Sequence, residues 1–319
     1  MSKILVITPV NHIPNVASGL AAIGQVDFLD DPSARELKSV LHDYDAIFTN
    51  PNKSKIFLGP EILKKAKKLK VICTASTGTN HIDLDYANKH GIEVLCLKEE
   101  RKVINKISST AEHAFSLMLS SIRNINAAHQ SVLAGKWDYC PFVGKQLNCL
   151  NIGILGFGRL GKKFAKFANA FTDQITIFDP YKKVRNKNYT QVEDLSQLAN
   201  DCDVISIHVH VTEETTGMID SHFLERVKDS VLFVNTSRGE IVDEAAMVGF
   251  LKQNPQASLA TDVLRDEIRN RDSSPLFKYA KSSDQVLITP HIGGMTIHAQ
   301  AIAYNHAVEL LKLNLGERN

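Results

Sequence analysis

The sequence has little that would mark a secreted, metal-binding or membrane protein. Its five cysteines, Cys73, Cys96, Cys140, Cys149 and Cys202, are odd in number and scattered, and none forms C-x-x-C. That argues against a disulfide framework or a zinc site and fits a reducing cytoplasm. Cys73, Cys96 and Cys202 lie in or beside apolar runs, where cysteine behaves as a small hydrophobe. No apolar run reaches transmembrane length, and the opening run Met1–Thr8 is too short for a signal-peptide core and reads as a first strand. An excess of one charge is missing too. Thirty-seven basic residues face 35 acidic ones, a net +2, which argues against a general nucleic-acid surface. The densest basic stretch, Glu61–Lys70, carries Ile62, Leu63, Ala66 and Leu69 at helical spacing and reads as a solvated amphipathic helix. Low-complexity tracts and internal repeats are absent.

What is present is a strand–helix alternation long enough, at 319 residues, for two domains. Short β-rich segments at Ile4–Thr8, Asp45–Thr49, Leu69–Thr74 and Ile92–Leu97 alternate with helical stretches near 16–23, 33–42, 60–68 and 83–90. This is the pattern of a doubly wound parallel sheet. One long helix follows, capped by Ser108 or Ser109 with Glu112 at capping-box distance from Ser109, its apolar residues running from Ala111 to Ala128. After an irregular stretch the alternation resumes, with strands expected at Val204–His208, Val231–Asn235, Leu259–Val263 and Val286–Thr289. Helices are expected near 221–227 and 243–252, and a final one near 295–314.

The second alternation opens on Asn151-Ile-Gly-Ile-Leu-Gly-Phe-Gly-Arg-Leu-Gly161, a buried strand followed by glycines at G-x-G-x-x-G spacing. Gly156 allows a tight turn off the strand, Gly158 lets backbone N–H groups approach a pyrophosphate, and Gly161 lets the next helix pack closely. That helix's N-terminus adds partial positive charge. Gln174–Asp179 forms a second strand and ends in an acid 18 residues past the third glycine. An acid there accepts hydrogen bonds from the adenosine ribose and repels a 2′-phosphate. NAD is the expected cofactor. NADP is the minor alternative, because Lys182, Lys183 and Arg185 lie nearby.

Later strand ends of the same unit deliver chemistry: Arg238 after Val231–Asn235, Asp262 and Glu267 after Leu259, and His291 after Val286–Thr289. Arginine presents a planar fork to a carboxylate and a keto oxygen. Histidine donates a proton as a nicotinamide gives hydride, and a carboxylate beside it stabilises the imidazolium form. The set fits reduction of a 2-keto acid, in the cleft between two doubly wound units. His208 and His210 read as lining the cofactor site, since no third ligand stands at metal-binding spacing. His113 reads as a satisfied core or interface histidine.

Gly156-Phe-Gly-Arg-Leu-Gly161, Asn235-Thr-Ser-Arg-Gly239, Asp262 with Glu267, and Thr289-Pro-His-Ile-Gly-Gly294 together resemble the D-isomer-specific 2-hydroxyacid dehydrogenases. Thr77–Asp83 and Ala111-Glu-His113 extend the resemblance over nearly the whole chain. The resemblance implies a Rossmann-type NAD domain, residues 106–290, inserted into a flavodoxin-like substrate domain. Residues 1–105 and the returning segment 291–319 would form that substrate domain. It implies Arg238 as substrate binder, His291 as acid–base and Glu267 as its partner, with Asp266 the competing carboxylate. Backbone N–H groups at Ser76, Thr77 and Gly78 would hold the substrate carboxylate. Arg159 and Leu160 would cover the pyrophosphate, and Asp262 would meet the nicotinamide amide. Val209, Thr236, Ser237 and Gly294 would line the cofactor site. No metal is implied, and homodimerisation through the cofactor domain is.

Some positions depart from the family pattern: Ile268 replaces a proline, His210 another, Met295 a small hydroxyl residue, and Ser76 and Asn80 the usual glycine and aspartate. Lys53, Lys98, Arg101 and Lys102 could meet a substrate phosphate or second carboxylate, or simply face water. The chain ends at Asn319, soon after the last helix, so the C-terminal regulatory domain of some relatives is expected to be lacking. A non-catalytic NADH-sensing protein, corepressor-like, is the alternative on the same fold.

Overall fold

The computed structural model describes residues 1–51 and 56–316; Lys53 lies outside them. The chain divides into two compact units, Met1–Ile107 with Gly294–Asn319, and Ser108–Gly293.

The first unit is a five-stranded parallel sheet. Its strands are β1 (Ser2–Val6), β2 (Gly24–Phe28), β3 (Ala46–Thr49), β4 (Val71–Thr74) and β5 (Glu93–Leu95), in the order β2-β1-β3-β4-β5, which is the flavodoxin-like order. The strand β2 is absent from the sequence expectations. Its residues Gly-Gln-Val-Asp-Phe are only partly buried, so the near-continuous apolar run of a central parallel strand is missing. Helices α1 (Val16–Ala21), α2 (Ala34–Val40), α3 (Pro60–Leu63), α4 (Leu84–Lys89) and α5 (Arg101–Ile104) connect the strands. Ser33 and Glu36 close a full capping box on α2. The expected helix over 60–68 shrinks to the four residues of α3. The lysine-rich remainder turns instead, with Lys65 N–H donating to Ile62 O and Ala66 N–H to Leu63 O. The C-terminal helix, Ile297–Gly316, buries Tyr304, Ala307, Val308 and Leu311 against one sheet face.

The second unit holds seven parallel strands: β6 (Ile152–Leu155), β7 (Ile175–Phe178), β8 (Thr190–Val192), β9 (Val204–Ile207), β10 (Leu232–Asn235), β11 (Ser258–Thr261) and β12 (Val286–Ile288). Their order is β12-β11-β10-β9-β6-β7-β8, the doubly wound dinucleotide-binding order with one strand added. The chain winds one way from β6 and the other way from β9, so the switch point falls between those two strands. Strands β6, β9 and β10 are buried at every residue, as expected where helices cover both faces. The expected single long helix is two: α6 (Ser109–Ile122) and α7 (Ile125–Leu133). Asn124 sits between them at φ 51°, a left-handed residue that ends one helix and starts the next. Of the two expected caps, Ser108 takes the N-cap position, and the Ser109–Glu112 capping box does not form. Ser109 is the first helical residue, and the Ser108 hydroxyl donates to Glu112 Oε1 at 2.5 Å without capping the backbone. The remaining helices are α8 (Arg159–Ala168), α9 (Leu195–Asp201), α10 (Ser221–Leu224), α11 (Glu244–Gln253) and α12 (Pro275–Ala280).

Candidate active site

At the switch point the glycine turn is built from close approaches. Gly156 has φ 93°, and a Cβ there would fall 2.7 Å from Val209 Cγ1 and 2.9 Å from the His208 carbonyl. A Cβ at Gly161 would fall 2.1 Å from Gly156 O, so the first turn of α8 lies directly on the turn it follows. A Cβ at Gly158 would meet nothing within 4 Å. Gly158 is also the N-cap of α8 and brings no side chain to the first-turn N–H groups of Arg159, Leu160 and Gly161. The Asp179 carboxylate, at the end of β7, accepts Phe157 N–H at 2.7 Å and Tyr181 N–H at 2.9 Å. The predicted acid and the glycine turn are therefore in direct contact.

His208 and Val209 follow β9. The His208 Nε2 shares a 2.9 Å hydrogen bond with Ser206 Oγ. Its Nδ1 is buried without a hydrogen-bond partner among the described residues, and its ring lies 5.0 Å from that of Phe164. Burial pushes its pKa down to about 3. It is a neutral wall of the turn.

The opposite half of the same carboxyl edge carries Arg238, Glu267 and His291, at the ends of the adjacent strands β10, β11 and β12. Asn235 organises the first loop, accepting Ser237 N–H at 3.0 Å and donating to Arg238 O at 2.9 Å. Thr236 is buried, and Ser237 Oγ donates to Ile207 O at 2.7 Å, tying this loop to β9. Arg238 is half-buried and uses one donor on Ser237 O at 2.7 Å. A Cβ at Gly239 would sit 2.1 Å from Leu264 C and 2.2 Å from Arg265 N. The missing side chain is what lets the arginine loop lie on the loop that carries Glu267.

His291 Nδ1 and Glu267 Oε1 are 2.5 Å apart, with side chains 22% and 18% exposed. The second oxygen of Glu267 accepts Leu264 N–H at 3.1 Å. A carboxylate only accepts, so Nδ1 carries the proton in this bond. Asp266 takes a different place. It turns at φ 53°, is exposed, and lies 3.9 Å from Arg269. The competition between the two carboxylates thus falls to Glu267. The buried Glu244 at the start of α11 supports this loop, accepting Arg265 N–H at 2.8 Å and Ser274 Oγ–H at 2.6 Å. No sequence signal marked Glu244 beyond its place in a helix's first turn.

Asp262 is 2% exposed. It accepts Ile292 N–H at 2.8 Å, Gly293 N–H at 2.7 Å and Thr289 Oγ–H at 2.6 Å, and His113 Nε2 is 3.4 Å away. Burial acts to raise its pKa, but these hydrogen bonds outweigh burial and lower it.

Residues 115–293 match the D-isomer specific 2-hydroxyacid dehydrogenase, NAD binding domain. The hydroxypyruvate reductase of Thermotoga maritima is 33% identical over 286 residues, covering 88% of each chain. The chain belongs to the D-isomer specific 2-hydroxyacid dehydrogenase family. Within that family, the D-3-phosphoglycerate dehydrogenase of Archaeoglobus fulgidus is 35% identical over 278 residues, 86% of this chain and 50% of the relative. The chain spans about half the length of the curated D-3-phosphoglycerate dehydrogenases it matches. Among solved structures, the D-lactate dehydrogenase of Aquifex aeolicus, complexed with NAD and lactic acid, superposes with a TM-score of 0.79. The two share 26% identity, and the match covers 99% of this chain and 96% of that one.

Of the positions that depart from the family pattern, Ser76 has a local explanation. In the first unit, Ser76 Oγ donates to Gly78 O at 2.6 Å and pairs with Thr74 Oγ1 at 2.9 Å, so its hydroxyl stiffens the loop that also carries the exposed Thr77. At His210 the backbone carbonyl accepts Thr215 Oγ–H at 2.6 Å, a bond a proline there would also make, so it does not explain the imidazole. Gly294 begins the return of the chain to the first unit. No helix of the described residues is long and apolar enough to cross a membrane.

Proposed function

We propose that this chain is an NAD-dependent oxidoreductase interconverting a D-2-hydroxy acid and its 2-keto acid. The observation that carries this reading is the 2.5 Å contact between His291 Nδ1 and Glu267. It lies on the same sheet edge as Arg238 and the glycine turn. The match to the Thermotoga hydroxypyruvate reductase over most of both chains supports a small 2-keto acid as substrate.

The residues present fit the cofactor. The open space at Gly158 and the N-terminus of α8 suit a pyrophosphate, held by Gly156, Gly158, Arg159, Leu160 and Gly161. Asp179, already anchored to the turn, would accept the ribose hydroxyls and set a negative charge against a 2′-phosphate, which favours NAD over NADP. Val209, Thr236, Ser237, Asp262 and Gly294 would serve the nicotinamide side, Asp262 through the lone pairs its protein donors leave on Oδ2. Bound NADH supplies the hydride. Arg238 would hold the substrate carboxylate and polarise the keto oxygen with its remaining donors. The backbone N–H groups of Ser76, Thr77 and Gly78 are assigned to the same carboxylate on the family's pattern. His291 would deliver a proton from Nε2 to the forming alkoxide while Glu267 holds Nδ1–H and balances the imidazolium charge.

A homodimer is the proposed assembly. Large apolar side chains left exposed in one stretch of sequence, Ile125 and Leu133 on α7 and then Trp137 at 92% exposure and Tyr139, support it. Five free thiols, two of them exposed, support a reducing, cytoplasmic setting.

Purified protein with NADH or NADPH should reduce at least one member of a panel of hydroxypyruvate, glyoxylate, pyruvate and phosphohydroxypyruvate. Reduction of none sinks the reading. His291→Gln should bind NADH with wild-type affinity and lose about 10²–10⁴ in kcat; unchanged turnover would move the acid–base role elsewhere.

A further inference from the structure

His291 stands in a strained turn. It is one of the few non-glycine residues at positive φ, 56°, a conformation that a side chain disfavours and that surrounding bonds must enforce. The turn runs from Thr289 to Gly293. His291 N–H donates to Thr289 O at 2.9 Å across Pro290. The next two N–H groups, of Ile292 and Gly293, are captured by separate oxygens of Asp262. Thr289, at the start of the turn, donates its hydroxyl to Asp262 Oδ1 at 2.6 Å. One buried carboxylate thus pins both ends of a five-residue turn with His291 in the middle.

The pin is itself held from α6. His113 Nε2 and Thr289 Oγ1 are 2.9 Å apart. The single proton of Thr289 is committed to the carboxylate, so His113 must be the donor, with its proton on Nε2. The bonds converge on one carboxylate: His113 N–H donates to Thr289 Oγ1, Thr289 O–H donates to Asp262, and the N–H groups of Ile292 and Gly293 donate to the same Asp262. The same helix also backs the end of the turn. A Cβ on Gly293 would lie 3.2 Å from Thr110 Cγ2 and 3.0 Å from Asp262 Oδ2. The His113 side chain is 18% exposed, and with Thr289 it lines a recess shared by Ser116, Ile125, His129 and Leu287.

We propose that His113 and Thr289 are positioning residues for His291, acting through Asp262 to hold the 289–293 turn in its left-handed conformation. This rests on the dehydrogenase reading for its effect on turnover, but the held turn has a readout of its own. Thr289→Val removes the hydroxyl and keeps the shape; Thr289→Ser restores the hydroxyl. His113→Phe removes the donor; His113→Gln keeps an N–H donor at similar reach.

Thr289→Val and His113→Phe should each lower kcat about 10-fold. NADH dissociation constants and KM should change less than about 3-fold. Amide hydrogen exchange at Ile292 and Gly293 should accelerate at least about 10-fold. Thr289→Ser and His113→Gln should recover most of both losses. Thr289→Val with wild-type kcat and wild-type protection at 292 and 293 overturns the proposal. So does a variant that loses NADH affinity in proportion to kcat, because the role would then be in cofactor binding. If the wild type reduces no keto acid at all, the dehydrogenase reading falls, and the exchange measurement alone still decides whether the relay holds the turn.

Discussion

The two halves of the seven-stranded sheet's carboxyl edge both combine omitted side chains, at Gly156 and Gly239, with bonded carboxylates, at Asp179 and Glu267, but in different balance. At β6 the chain mainly leaves side chains out: Gly156 and Gly161 occupy places where one added carbon would strike Val209 or the Gly156 carbonyl. At β10, β11 and β12 the chain mainly puts side chains in. Asn235, Asp262, Glu244 and Glu267 each bond backbone N–H groups of the loops beside them. The first half has to admit backbone to a ligand. The second has to fix ionisable groups whose position and charge matter. A half built mainly on omission fails when volume is added, and a half built mainly on bonded carboxylates fails when charge is removed.

The comparison breaks most sharply at Glu267. Glu267→Gln keeps volume and removes charge, and should cost about 10³-fold in kcat, about 4 kcal/mol of transition-state stabilisation. Asp266→Asn, one residue away and exposed, should change kcat less than about 3-fold. Steady-state kinetics of the pair settles the matter: equal losses would mean that Asp266 also serves His291. On the other half, Gly161→Ala adds one carbon 2.1 Å from a backbone oxygen. The expected cost is up to about 3 kcal/mol in unfolding free energy, read by urea titration, together with weaker NADH binding by fluorescence. Wild-type stability and affinity would show that α8 is free to shift off the turn.

The same contrast explains what the sequence made legible. Omission is a local pattern. Three glycines, a strand before and an acid-tipped strand after all lie within residues 151–179, so the nucleotide half and its Asp179 contact could be read directly. Arg238, Glu267 and His291 were reachable because parallel strands deliver their following loops to one edge. Their supports were not. Asp262 to Thr289, Glu244 to Arg265 and His113 to Thr289 are bonds between residues 21 to 176 positions apart, and no spacing rule encodes them. Strand identity was legible at every fully buried strand, and the two strands the sequence reading missed, β2 and β8, are only partly buried. Helix extent failed in the lysine-rich run after Leu63 and at Asn124, whose left-handed turn splits an otherwise continuous apolar pattern.

The two halves also treat histidine differently, and the smallest of the three effects follows from that. His291 is paired with a carboxylate, whereas His208 is enclosed beside the glycine turn and held neutral, its pKa near 3. In the unfolded chain His208 takes up a proton near its ordinary value, 6.5, while the folded protein resists until about pH 3. Below pH 6.5 the unfolded state therefore binds more protons, and stability falls as pH falls across that window, with no contribution from this residue above it. Between pH 6.5 and pH 5 the loss amounts to about 2 kcal/mol. His208→Gln, which cannot titrate, should show an acid-induced loss smaller by that amount when urea unfolding is compared at pH 7.5 and pH 5. Identical pH dependence in the two proteins would mean that the glycine half is open enough to solvate an imidazolium, and the enclosure that distinguishes it from the His291 half would be lost as an explanation.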